Sequence, residues 1–554
     1  MGDKFLDGKL MVEMAQGGAA ALRSKADEVN KLNVFPVPDG DTGDNMSLTI
    51  ESGVAAIENI STNSLATVMK LLSKGMLLGA RGNSGVILSQ LFAGAAKALE
   101  PYERADATIF ATALSKGVEQ AYTSVMTPTE GTILTVARES VEYVMSSLTP
   151  ETSITTLFNT LVKEMYASLQ RTPERLAVLK EAGVIDSGGA GLFYIMEGFN
   201  RVLNGEKIEY SALTVNVDSH VDVSNAFGPD SEMTYGYCTE LLLQLQNSKV
   251  DVDKFDHNVI TEYLCTIGDS IVAFKTDSIV KIHVHTMTPE KVLEFCRRYG
   301  EFIKIKIENM SVQHSENKEI TSNEQKEQAP SLEKKKYGIV AVCSGEGIKE
   351  TFKELGADGI VDGGQTQNPS TQDFLAAFEK INAEHIFVFP NNGNIIMAAT
   401  QASELYDKAQ IHVIPSKNLG AGYVALASMN PADEPENILE QFSQAIEGVA
   451  TGCISPSIRD ADINGVHIEN GDFIGFVGKE MIVSHPDREH SAKMLISKML
   501  EDGDKFMLTV FLGKDADETS QQVISDYMQT AHSDIEVYFI MGGQDIYPYI
   551  FVAE

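Results

Sequence analysis

Asp39, Asp41 and Asp44 fall within six residues of the stretch NVFPVPDGDTGDNM, residues 33 to 46, and Lys31 is the only cation from 31 to 50. Carboxylates gathered with no basic partner are either a solvated acidic turn or the oxygen ligands of a hard cation. Mg2+ prefers such oxygens and usually sits between carboxylates and substrate phosphates. Gly40 and Gly43 permit a backbone turn that brings Asp39 and Asp41 toward one point, while Pro36 and Pro38 stiffen the approach. Asn33 is placed to add a carbonyl oxygen.

Three further turns have residues suited to holding a phosphate. GARGNSGVILSQLF, 79 to 92, repeats glycine at Gly79, Gly82 and Gly85 just before a helical pattern, with Asn83 and Ser84 at its start. A glycine-rich turn entering a helix offers unpaired backbone N–H groups to an anion. The GK[ST] of a Walker loop is missing, and no strand precedes the turn as a dinucleotide fold requires. TPTEGTILTVARES (127 to 140) and AGVIDSGGAG (182 to 191) repeat the theme with Thr132 and Asp186. Alone, the first reads equally as a helix cap and the other two read more readily as caps; four such turns in one region, one with an acidic cluster, point to a shared site.

The region that must position these turns, residues 1 to 205, has apolar residues recurring every three or four, and the pattern predicts helices throughout. It holds neither His nor Cys, so its chemistry rests on carboxylates, hydroxyls, amides, Lys, Arg or metal. Residues 225 to 311 read as β-α-β-β-α-β, the ferredoxin-like order. In KIHVH, His283 and His285 alternate with Ile282 and Val284 and share one strand face. The first and third strands of that fold are neighbours, which sets Cys238 and Glu240 of YCTE beside the histidines. Cys and His so gathered suit Zn2+; solvated polar residues on an open sheet face are the alternative. Residues 312 to 336 are polar and charged and read as a linker. Residues 337 to 554 alternate strand and helix, predicting two α/β lobes with largely parallel sheets. Within them FVFPNNGNIIMAA places an Asn-rich turn after a strand, where open α/β sheets bind ligands; a turn with a helix cap is an equally good reading.

The chain has 554 residues and a formal net charge of −34. That balance argues against nucleic-acid or anionic-membrane binding, which needs clustered Lys and Arg. The N-terminal stretch lacks a signal-peptide core, and no run is long enough for a membrane span. Five cysteines without a CxxC argue for a reducing cytoplasm.

NVFPVPDGDTG, GARGNSG, EGTILTV and AGVIDSGGAG resemble the nucleotide-binding domain of the dihydroxyacetone kinase L-subunit type. With GYCTE, GDSIVAF, VKIHVHT and KIKIENM, essentially the whole chain is similar to the bacterial fatty acid kinase catalytic-subunit family. The resemblance implies an all-α helical barrel over 1–205 holding ATP with two Mg2+ ions, a ferredoxin-like α+β middle domain over 225–311, and an α/β DegV-like domain over 337–554. It makes Asp39 and Asp41 metal ligands, with Asn33 near the position of a third. Asn83 and Ser84 would meet phosphates, and Thr42, Asn45, Gly82, Thr132 and Asp186 would line the nucleotide. Asp44 departs from the family pattern and ranks below Asp39 and Asp41 as a ligand. The resemblance gives Cys238, His283 and His285 a part in phosphoryl transfer. It also implies a cytoplasmic homodimer whose last domain docks a separate fatty-acid-binding protein. The implied reaction makes an acyl phosphate for phospholipid synthesis. A kinase for a small hydroxyl substrate such as dihydroxyacetone and a nucleotide-sensing scaffold are the alternatives.

Overall fold

A computed structural model describes residues 5–32, 40–58, 60–125, 127–206, 237–252, 254–256, 258–264, 266–276, 278–309, 334–364 and 367–554. Asn33 and Asp39 lie outside the described residues, as do the side chains of Cys238, Glu240, His283 and His285.

The first region is helical, as its periodicity predicts: α1 Gly8–Arg23, α2 Ala26–Asn30, α3 Thr42–Ile57, α4 Leu65–Gly79, α5 Gly82–Leu99, α6 Ala107–Thr123, α7 Ile133–Ser147, α8 Ile154–Arg175, α9 Ala177–Ala182 and α10 Ser187–Leu203. Neighbour contacts run from α1 through α3, α4, α5, α6, α7, α8 and α10 and return to α1, closing a ring. Its interior is apolar, built on residues such as Met14, Ile50, Leu72, Phe158 and Phe199. Local sequence starts the helices. Asp7, Ser64, Asp106, Ser153 and Asp186 each accept a backbone N–H from the first turn of the helix they precede, satisfying a donor that would otherwise lack a partner. Small residues close the ring: a Cβ at Gly198 of α10 would lie 2.4 Å from the Gly17 carbonyl oxygen of α1.

The middle unit has β1 Tyr237–Leu245, α11 Asn258–Leu264, β2 Gly268–Thr276, β3 Ile279–Thr286, α12 Pro289–Cys296 and β4 Gly300–Asn309. Its antiparallel sheet runs β2-β3-β1-β4, the ferredoxin-like order. Leu241, Leu243, Ile282 and Val284 are buried with Ile260, Val292 and Cys296. In the β1–β3 register Cys238 pairs with His285 and Glu240 with His283.

The last region is α/β. Strands β5 Lys335–Cys343, β6 Gly359–Asp362, β7 Ala383–Phe389 and β8 Gln410–Val413 form a wholly parallel sheet in the order β6-β5-β7-β8. β5 begins at Lys335, within the stretch read from sequence as linker. Besides the two-stranded pair β10 Ala461–Ile463 and β11 Val466–Ile468, a second large sheet corrects the expectation of largely parallel lobes. It comprises β9 Ala450–Pro456, β12 Phe473–Val477, β13 Glu480–His485, β14 Met507–Leu512, β15 Glu536–Met541 and β16 Tyr549–Ala553. Its order is β13-β12-β9-β16-β14-β15, and only β14 and β15 pair in parallel. Gly478 and Lys479 alone join β12 to β13, too short a link for the crossover that parallel strands require.

The helical ring and the α/β region, Met1–Ala212 and Leu332–Glu554, form one compact unit; Leu213–Ser331 is a second. Within the first, Ala80 and Val86 of the ring are buried in the same apolar cluster as Val340, Phe374, Ile395 and Ala398.

Candidate functional site

Each of the four turns singled out by sequence ends at a helix N-terminus: those of α3, α5, α7 and α10. Side chains bring the turns together. The Ser187 hydroxyl donates to Thr42 Oγ1 at 3.3 Å, tying the start of α10 to that of α3. The Asp186 carboxylate accepts the backbone N–H of Gly189 at 2.7 Å and that of Ile133, tying α10 to α7. Gly82 lies against Asn45: a Cβ there would sit 2.7 Å from the Asn45 amide nitrogen. Gly82 and Gly131 hold φ of +58° and +84°, a region costly for residues with a Cβ. The positive ends of four helices thus converge on one end of the ring, an arrangement that favours a multiply charged anion.

Asp41 occupies the N-cap of α3, and its carbonyl accepts the Asn45 N–H at 2.8 Å. Asn45 is buried, and its carbonyl accepts the Thr49 hydroxyl at 2.6 Å. Asp44 accepts the Asn30 amide at 2.9 Å, while Asn30 Oδ1 accepts the Gly43 N–H at 2.7 Å. Asp44 is therefore braced by an asparagine of α2 that sequence reading did not single out. Thr132 stands at the N-cap position of α7, and its hydroxyl donates to the Thr129 carbonyl at 2.7 Å. Burial pushes the Asp186 carboxyl up to about 6, against the two backbone N–H bonds that pull it down. Among the described residues no group of three or more His, Cys, Asp or Glu side chains could hold a metal.

The α/β region supplies residues that sequence spacing could not reveal. Asn368, which precedes Pro369, donates its side-chain amide to the Asp41 carboxylate. Arg81, just ahead of α5, donates to the Asn368 carbonyl at 2.8 Å, and the Thr371 N–H donates to the Ala80 carbonyl at 3.2 Å. Asn394, in the Asn-rich turn after β7, accepts from the Asn83 amide at 3.3 Å. Gln401 donates to the Leu77 carbonyl at 2.6 Å and accepts from Gln90 at 3.0 Å. Only the turn holding Asn394 was marked in the sequence, as a ligand turn; here it faces the start of α5.

Residues 36–201 match the DAK2 domain, which places the helical ring among kinase domains. Residues 234–317 match the FakA-like middle domain of fatty acid kinase, and residues 338–554 match the FakA-like C-terminal domain. Protein YloV of Bacillus subtilis (strain 168) is 42% identical over 100% of both chains. The chain belongs to the FakA-like fatty acid kinase family. Among solved structures, the dihydroxyacetone kinase from C. freundii in complex with AMP-PNP and Mg2+ is similar over 35% of this chain and 34% of that one, at 20% identity and a TM-score of 0.29. A DegV family protein from Thermus thermophilus, described by its fatty acid binding, is similar over 40% of this chain and 99% of that one, at 10% identity and a TM-score of 0.30. Among the described residues no helix is long and apolar enough to cross a membrane.

Proposed function

We propose that this protein transfers the γ-phosphoryl group of ATP to the carboxylate of a fatty acid presented by a separate fatty-acid-binding protein. The convergence of four helix N-termini on one end of the ring carries this reading, together with membership of the FakA-like fatty acid kinase family. A carboxylate oxygen attacks the γ-phosphorus, the bond to the β,γ-bridging oxygen breaks, and acyl phosphate and ADP result. A fatty-acid carboxylate is already ionised near neutral pH, so no general base is required. That matches a helical region without histidine.

Gly82, Asn83 and Ser84 at the start of α5, with Thr42, Asn45, Thr132 and Asp186 on the neighbouring turns, bind and orient the nucleotide. The residues present fit Mg2+. The turn offers carboxylate oxygens and no cation, and the buried oxygens Asn83 Oδ1 and Asn368 Oδ1 have no hydrogen-bond partner among the described residues. Asp39, Asp41 and Asn33 would hold it, with Asp44 behind them. Two bound Mg2+ ions would neutralise the phosphate charge that develops during transfer. Cys238, His283 and His285 contribute to phosphoryl transfer, alone or with Zn2+; their variants are expected to lose turnover and keep nucleotide affinity. The protein acts in the cytoplasm, for phospholipid synthesis, as a homodimer. The exposed Ile303, Ile305 and Ile307 on the edge strand β4 support that self-association.

The test is turnover of Mg-ATP with a fatty acid and its carrier, with the product trapped by hydroxylamine. Hydroxamate that depends on both is expected. Asp41→Ala is expected to abolish it and leave carrier binding intact. A phosphate ester inert to hydroxylamine would replace the carboxyl acceptor with a hydroxyl one, and unchanged turnover by Asp41→Ala would sink the metal assignment.

A further inference from the structure

Asn368 stands out among the contacts between the α/β region and the helical ring. It is only 3% exposed. Its amide nitrogen donates to the Asp41 carboxylate, yet its own Oδ1 has no partner among the described residues. A buried acceptor without a donor costs about 1–3 kcal/mol, so the orphaned oxygen beside a carboxylate calls for an explanation. The main chain around it is pinned independently of the side chain. Arg81 holds the Asn368 carbonyl at 2.8 Å, and Thr371 N–H reaches the Ala80 carbonyl at 3.2 Å. The side chain also lies against the α5 turn: a Cβ at Gly82 would be 3.4 Å from the Asn368 amide nitrogen.

A bound cation would give the orphaned oxygen a partner. The two ends of an asparagine amide are nearly equal in shape and opposite in character. Turned with its nitrogen toward Asp41, Asn368 is a donor to a carboxylate. Turned with its oxygen toward Asp41, it would face like charge unless a cation lay between, and then both oxygens are ligands of the kind a hard cation prefers.

We infer that Asn368 belongs to the divalent-cation site of the bound nucleotide, so that the α/β region completes a site whose carboxylates come from the helical ring. This rests on the kinase reading above and extends it. The cation would be held across the docked α/β region, and cation binding and docking would strengthen each other by linkage. Asn368 serves here as a ligand through its Oδ1. It holds the cation and takes no part in bond making.

The test uses the full chain saturated with ADP and titrated with Mn2+ in place of Mg2+, with free Mn2+ read from its electron paramagnetic resonance signal. Asn368→Ala is expected to weaken Mn2+ at least about 10-fold, since losing a ligand costs no less than losing a group that supports one. Asn368→Asp, which restores an oxygen, is expected to recover it. ADP affinity without divalent cation and the thermal midpoint should be unchanged, because the main-chain pins at Arg81 and Thr371 remain. Unaltered or tighter Mn2+ binding by Asn368→Ala, or failure of Asn368→Asp to recover it, overturns the inference; tighter binding would mean that the amide merely blocks Asp41. Asp41→Ala separates the levels. If it abolishes Mn2+ binding while Asn368→Ala has no effect, the metal site stands and only the part given to Asn368 falls. If Asp41→Ala leaves Mn2+ binding intact, the metal reading and this inference fall together.

Discussion

Asp186 joins structure and chemistry in one carboxyl. As N-cap of α10 it accepts the Gly189 N–H, and through Ile133 it fixes α7. Burial raises it to about 6, above the ordinary aspartate value of about 4. A carboxyl raised in the folded state binds its proton more tightly there than in the unfolded chain. Its contribution to stability is therefore complete below about pH 4 and is lost as pH rises through about 6. Asparagine caps a helix as well as aspartate does and does not titrate. The thermal midpoint of Asp186→Asn is thus expected to gain on the parent between pH 4 and pH 7. Parallel midpoints across that range would show that the carboxyl is not buried in its charged form. The cysteines at Cys296 and Cys453 are also shifted by burial, both to about 12, which leaves them packing residues rather than nucleophiles.

Elements matter through their ends. The N-termini of α3, α5, α7 and α10 act together because glycine allows turns that other residues resist. Gly82 is one of these, with a positive φ and the Asn45 side chain in the space a Cβ would take. Gly82→Ala is expected to cost about 1–2 kcal/mol from backbone strain. For a domain of this size, that lowers the thermal midpoint by roughly 2–8 °C. Nucleotide affinity should fall with it, since the α5 N–H groups would be re-aimed. Equilibrium binding of ADP checks the second effect, and a stable variant of unaltered affinity would remove this turn from the phosphate site. The equivalent change at Gly183, where a Cβ would meet nothing within 4 Å, should cost only its backbone conformation.

For the whole molecule, the decisive contact is the packing of the α/β region on the ring. Gln401 anchors it, with one amide reaching the Leu77 carbonyl, Thr371 and Gln90. Gln401→Leu keeps the volume and removes every polar partner, leaving buried groups unpaired at about 1–3 kcal/mol each. Hydrogen exchange is expected to rise in residues 79–90 and 367–373 and to remain unchanged in the middle unit. Unaltered protection at the start of α5 would mean that the apolar cluster around Val86 and Phe374 suffices to hold the two together.

Much of this was written locally in the sequence. Helical periodicity marked the ring, because it repeats within a few residues of one helix; caps such as Asp106 and Ser153 emerged only with the structure. The alternation of His283 and His285 with Ile282 and Val284 placed them in register with Glu240 and Cys238, because a strand repeats every second residue. The glycine turns marked the helix starts for the same local reason. The direction of the last sheet's strands was misjudged, since parallel and antiparallel strands share one pattern of burial and differ in their connections. Asn30, Asn368 and Gln401 could not be singled out at all. An asparagine or glutamine carries no periodicity and has no fixed partner in sequence. The Asn368–Asp41 contact spans 327 positions. Only the closing of the helical ring and the docking of the α/β region bring those side chains together, because long-range packing of apolar surfaces decides which distant polar groups meet.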